Sequence, residues 1–238
     1  PYAMANRRIE FVPNPADIPL GYWRSVGESY NTFAVESAID ELALALKKDP
    51  LAYRKSLLAA DSRALGVLNE VARISSWSST TGWSGVTPSG SARGMAFLKG
   101  FGSWIALVVE ISLSSTTPAV IKVNKAFCAI DCGRVINPNS VEAQIQGGIA
   151  HGISAALWGQ ANFIDGVPQF ANFSKYRVLR PSEMPAVTVS ALTSTAAPGG
   201  VGETGVPCVA PAIANAYAKL KNLRIRTLPF QPGGVMGG

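Results

Sequence analysis

The stretch Pro198-Gly199-Gly200-Val201-Gly202-Glu203-Thr204-Gly205-Val206-Pro207 limits this chain more than any other. Four glycines around one carboxylate require a backbone that adopts positive φ or comes very close to something else. The helix expected from Pro211 to Leu220 follows directly, and the free N–H groups at its start favour an anion nearby. A Glu fixed there, poor in neighbouring charge, can serve as a general base. A surface loop whose Glu caps the helix near Pro207 is the alternative.

The rest of the chain must hold such a loop in place. Residues 1–32, with Pro13, Pro15 and Pro19, read as extended or irregular. Val35, Ala38, Ile39, Leu42 and Leu46 then fall on one face of a helix that Asn31 or Thr32 could cap. Asp49-Pro50 restarts a helix with a cap and a first-position Pro. Asp61 caps a third, with Leu65, Leu68, Val71 and Ala72 as its apolar face. The Ser/Gly-rich run 76–94 is the expected internal boundary. It divides an N-terminal helical segment with an extended arm and loop (1–94) from an α+β portion (95–238). Val109, Ile111 and Leu113 alternate with polar residues, as do Ile121 and Val123, and Ser114 to Pro118 joins the two strands as a hairpin. A helix is predicted after Asn137-Pro138 to about Trp158, with Ile145, Ile149 and Ile153 on one side. Asp165-Gly166 marks a turn, and Val187 with Val189 a short strand. Hairpins mixed with separate helices make the expected fold class α+β. There is no internal repeat, and the tail Gln231 to Gly238 reads as frayed.

Composition excludes several functions. Charged residues are 15% of the 238, against roughly 25% in typical soluble domains, which suggests a surface partly covered by other protein, as in a fragment or subunit. Apolar content is too high for intrinsic disorder. The net charge of +6 comes from scattered pairs such as Arg7-Arg8 and Lys47-Lys48, without interleaved aromatics, so no nucleic-acid partner is expected. Cys128 and Cys132 would lie about 13 Å apart along a strand, too far to bridge, and read as buried hydrophobes. His151 is the single histidine, which rules out a two-histidine zinc motif, and no G-x-S-x-G elbow accompanies it. No apolar run approaches the ~18 residues of a transmembrane helix. The chain opens at Pro1 without a signal-peptide pattern, and upstream sequence is expected.

Two further stretches carry polar groups in confined settings. Asp131-Cys132-Gly133-Arg134-Val135-Ile136-Asn137-Pro138 leads into a helix bearing Ala143-Gln144-Ile145-Gln146-Gly147-Gly148. Gln144 can both donate and accept, as recognition of a polar cofactor requires, although a tightly packed helix with a satisfied amide is the plainer alternative. His151 lies two turns on, along the same face, and a core or interface role suits it. In Tyr22-Trp23-Arg24-Ser25-Val26-Gly27-Glu28, Arg24 could place its fork on a carboxylate or phosphate.

In combination the blocks GYWRSVGESYNTFAVESAIDELA, KGFGSWIALVVEISL, AIDCGRVINPNSVEAQIQGGIAHGISAALWG, NFSKYRVLRPSEMP and GGVGETGVPCVAPAIANA are distinctive. They resemble the C-terminal part of the molybdenum-binding large subunit of xanthine dehydrogenase/aldehyde oxidase-type hydroxylases, and within these the isoquinoline 1-oxidoreductase beta subunits. The resemblance runs from about residue 3 to residue 230. It implies part of a molybdenum-cofactor-binding domain, carrying molybdopterin in its cytosine dinucleotide form with Mo. It also implies hydroxylation of an aldehyde or N-heteroaromatic carbon, with water as oxygen source. By this resemblance Glu203 is the base that deprotonates the Mo–OH. Gln144 contacts the pterin, Arg24 and Trp23 lie beside the metal's ligands, and Gly147 and Gly202 border the cofactor. The metal is held by the cofactor's sulfurs, not by this chain.

Implied partners are the upstream half of the same subunit, a small 2Fe–2S subunit and the small-molecule substrate. The expected compartment is the cytoplasm, or the periplasm if an upstream export signal exists. Two departures stand out. Gln146 occupies a position where relatives often have Glu, and the family's M-G-Q-G block is absent and expected upstream. The chain alone is therefore expected to bind cofactor poorly and to be inactive. A non-catalytic assembly module of the same fold is the alternative to an oxidoreductase.

Overall fold

The computed structural model describes residues 1–13, 18–58, 60–78, 87, 89–116, 119–170 and 172–230. Three helices come first: α1 (Glu28–Ala45), α2 (Pro50–Leu57) and α3 (Ser62–Ser75). Then β1 (Ala92–Gly100), β2 (Ser103–Leu113) and β3 (Ile121–Asp131) form an antiparallel meander. The long helix α4 (Pro138–Trp158) precedes a small hairpin of β4 (Phe163–Ile164) and β5 (Val167–Pro168). Strand β6 (Ala186–Ala191) returns parallel to β3, completing a sheet of order β1-β2-β3-β6, and α5 (Val209–Lys221) ends the fold. The α+β expectation holds. No helix among the described residues is long and apolar enough to cross a membrane.

Both faces of the sheet are covered. Leu98, Ile105, Leu107, Val109 and Ile130 join Ile145, Ile149 and Ile153 of α4 and Ile213 of α5 in one core. Met95, Phe97, Ala106, Val108 and Ala129 point the other way, onto Leu51, Val67, Leu68 and Val71 of α2 and α3. A strand buried on both faces reads as a continuous apolar run without alternation. That is why β1 and the first half of β2 escape a search for alternating residues.

Local signals match the structure where backbone chemistry sets them. Asp49, Asp61 and Asn137 each cap the helix that follows them. Asp165 and Gly166 both take positive φ in a two-residue hairpin turn. The three cysteines are free and buried, with Cys132 just past the end of β3. Turn residues 117–118, loop residues 79–86 and 88, and the tail 231–238 lie outside the described residues.

Helix α1 departs from expectation in two ways. It starts at Glu28 behind Gly27, with no side-chain cap, so neither Asn31 nor Thr32 serves. Its predicted apolar face also points outward: only Ile39 is buried, while Val35, Leu42 and Leu46 are 43%, 45% and 54% exposed. The buried face instead holds Phe33, Glu36, Asp40 and Ala43.

The cause is a charged cluster at the outer edge of β1. Arg54 of α2 is fully buried, donates to Glu36 Oε2 (2.9 Å), and lies 3.7 Å from Asp40. Arg224 pairs with Asp40 at 3.1 Å, and the Tyr2 hydroxyl donates to Glu36 Oε1. Burial opposes charge on Arg54, but Glu36 and Asp40 outweigh it and raise its pKa. The same groups pair the open edge of β1. Phe97 N donates to Glu36 Oε2, Asn215 Nδ2 and Arg54 donate to Met95 O, and Lys219 Nζ donates to Arg93 O. Side chains thus pair Phe97 N, Met95 O and Arg93 O on a sheet edge that has no neighbouring strand.

Two stability outcomes follow. Glu36→Ala leaves the buried Arg54 without its hydrogen-bonded carboxylate and with only Asp40 at 3.7 Å, and urea denaturation should show a loss of about 3–5 kcal/mol. Asp61 caps α3 at Ala64 N and accepts from Trp104 Nε1 and Lys99 Nζ. Burial opposes its charge, but these hydrogen bonds hold its pKa at about 2, below the ordinary 3.8. Its folded pKa is depressed, so its contribution is complete above pH 3.8 and is lost as pH falls through about 2. Asp61→Ala should therefore cost about 1 kcal/mol at neutral pH, a difference that shrinks toward pH 2 in parallel acid titrations of stability.

Candidate functional site

Helix α4 supplies one wall of the site. Asn137 Oδ1 accepts from Ser140 N and fixes where the helix begins, which sets Gln144 and Gly147 about two and three turns in on an exposed face. Further along, Gly148 meets the glycine-rich block. A Cβ on Gly148 would lie 2.9 Å from Gly205 Cα, so the two backbones touch with no room for a side chain. The close approach foreseen for this block is thus made partly to the chain's own helix. By contrast, a Cβ on Gly147 would meet nothing within 4 Å, and one on Gly202 only Gln144 Oε1 at 4.0 Å. Those two glycines border open space.

The third wall is the loop before α1. Val26 N donates to Trp23 O in a tight turn, with Ser25 at φ +81° and Val26 at φ +48°. From this turn consecutive residues grip consecutive residues of the glycine-rich block. Arg24 Nε donates to Gly202 O at 2.7 Å, Ser25 N to Glu203 Oε1 at 2.9 Å, and Ser25 Oγ to Glu203 O at 2.6 Å. Arg24 Nη2 also donates to Gln144 Oε1 at 3.1 Å. A guanidinium only donates, so the amide oxygen must face it, and the amide NH₂ of Gln144 remains to donate elsewhere. Trp23 packs edge-on against His151, with ring centroids 4.8 Å apart. Burial first, and then the nearby Arg24 charge, lowers the His151 pKa and favours the neutral ring.

Arg24 is therefore hydrogen-bonded directly to Gln144 and Gly202, and the adjacent Ser25 to Glu203, with Trp23 braced on His151 and Gly147 beside Gln144. The capping alternative for Glu203 does not match the geometry. Helix α5 starts at Val209 behind Cys208 with no side-chain cap, and the Glu203 carboxylate accepts from Ser25 instead. Gln146 donates to Glu142 on the helix exterior. Sequence reasoning missed Ser25, because a serine in the left-handed region leaves no local signal, and missed the His151–Trp23 contact, which only the fold creates.

The donor set suits a polar organic group. It offers an amide NH₂, a guanidinium and two glycines that border open space, and among the described residues no three His, Cys, Asp or Glu stand together as metal ligands. Comparison with known proteins finds relatives of this chain. The beta subunit of isoquinoline 1-oxidoreductase from Brevundimonas diminuta is 32% identical over 231 residues, covering 97% of this chain and 29% of that protein. A membrane-bound aldehyde dehydrogenase of Gluconacetobacter polyoxogenes, whose name carries pyrroloquinoline-quinone, is 29% identical over 92% of this chain and 30% of its own length. The crystal structure of quinoline 2-oxidoreductase from Pseudomonas putida 86 aligns with a TM-score of 0.48 at 27% identity, over 55% of this chain and 17% of that one. The chain spans less than a third of the length of these two sequence relatives. The family model for the molybdopterin cofactor-binding domain matches residues 25–185, a span that takes in Ser25, Gln144 and Gly147. On that match the chain belongs to the molybdopterin cofactor-binding domain family.

Proposed function

We propose that this chain forms part of the cofactor site of an oxidoreductase that hydroxylates an aldehyde or N-heteroaromatic carbon. Glu203 is its base. The observation that carries the proposal is the hydrogen-bonded convergence of Arg24 and Ser25 with Gln144, Gly202 and Glu203 from three distant stretches of chain. A non-catalytic scaffold has no need of a carboxylate oriented in this way.

Gln144 offers its amide NH₂ to the cofactor, while Arg24 fixes the orientation of that amide. Gly147 and Gly202 let a planar group come close. The cofactor that this donor set fits is molybdopterin, which the family match favours over the quinone in the name of the Gluconacetobacter relative; its cytosine dinucleotide form is proposed on the sequence resemblance alone. When bound, molybdenum supplies the two-electron oxidation chemistry.

Overall, a C–H carbon and water give a C–OH carbon, two electrons and two protons. Glu203 takes one of those protons. Ser25 N occupies Oε1, so Oε2 is the oxygen placed to accept it. The electrons leave through a small 2Fe–2S partner subunit, and the remainder of the large subunit completes the pocket.

In the complete subunit, Glu203→Gln should lower kcat by at least roughly 10²–10⁴-fold, while molybdenum content by metal analysis barely changes. Near wild-type turnover at full loading would show that Glu203 is not the base. Gln144→Ala should instead lower cofactor occupancy, because an amide donor to the pterin is lost.

A further inference from the structure

We infer that Ser25 is a positioning residue that clamps Glu203 at two points and so fixes which carboxylate oxygen is free to take a proton. The inference rests on the proposed role of Glu203 as base and goes beyond it by naming what holds that base.

Ser25 is fully buried, and its φ of +81° is one that residues other than glycine rarely adopt. Glycine would occupy this turn without strain. What serine adds is a hydroxyl, and here that hydroxyl donates to the Glu203 carbonyl at 2.6 Å. The positive φ belongs to the same turn that presents the Ser25 N–H to Glu203 Oε1 at 2.9 Å. One contact holds the main chain of the base and the other holds its side chain, so Glu203 can neither swing as a loop nor turn its carboxylate over without breaking a bond.

The neighbours reinforce this. Arg24 holds Gly202 directly alongside, and the turn is closed by Val26 N on Trp23 O. A carboxylate oxygen already engaged by a backbone donor is the poorer proton acceptor. Chemistry is thereby directed to Oε2.

Ser25→Gly separates the components, because it keeps the N–H, suits the backbone and lacks the hydroxyl. In the complete, cofactor-loaded subunit it should lower kcat by about 10-fold, the scale of one hydrogen bond, with KM and molybdenum content nearly unchanged. The same substitution placed in the Glu203→Gln background should lower kcat no further, since there is no base left to position. Infrared difference spectra supply a readout independent of turnover. The carboxylate band that disappears in Glu203→Gln should shift in Ser25→Gly.

An equal fold-loss in both backgrounds would make Ser25 merely structural and overturn the inference. So would an unchanged kcat together with an unmoved band. If Glu203→Gln alone retains near wild-type turnover, the base assignment fails first, and the failure is then recognisable as that of Glu203, not of Ser25.

Discussion

Arg54 carries its charge into the fully buried interior, and much of this structure is arranged around that fact. A buried guanidinium is tolerated only where carboxylates and carbonyls surround it. Glu36 and Asp40 of α1 meet that demand, so α1 turns its polar side inward and its Val35, Leu42 and Leu46 side outward. Glu36 and Arg54, together with Asn215, also pair Phe97 N and Met95 O on the outer edge of β1. Once α1 is locked in this orientation, the Trp23–Val26 turn immediately before it falls beside the glycine-rich block.

Close backbone packing does the complementary work. Gly205 against Gly148 seats the glycine-rich block on α4, while Gly202 and Gly147 leave the adjoining surface open. One set of glycines makes a rigid contact and the other makes room. Glu203 stands between them. Its main chain is fixed by the Ser25 hydroxyl and its carboxylate by the Ser25 N–H. In the role we propose for it, such a carboxylate is set in place before any substrate arrives, as general-base catalysis requires.

How much of this was legible in the sequence depended on which force decided each element. Asp61, Asn137-Pro138 and Asp165-Gly166 announced helix starts and a turn because caps and positive-φ turns act within a few residues. Strand β1 was invisible to an alternation test because both its faces are covered. The inward face of α1 was misread because Arg54, a residue on another helix, reversed the usual rule that apolar side chains go inside. Glu203, Gln144 and Arg24, the residues proposed for the site, stood out in the sequence through their motifs. Ser25 did not, because its role depends on a backbone angle and on a partner 178 residues away.

A structure of the complete subunit with its cofactor bound tests the central claim most directly. The account predicts that the pterin lies against Gln144, Gly147 and Gly202, that the Arg24–Gly202 and Ser25–Glu203 hydrogen bonds persist, and that Glu203 Oε2 faces the reacting centre within hydrogen-bonding reach. A cofactor seated on another face, or a Glu203 carboxylate turned away from it and released from Ser25, would contradict the account.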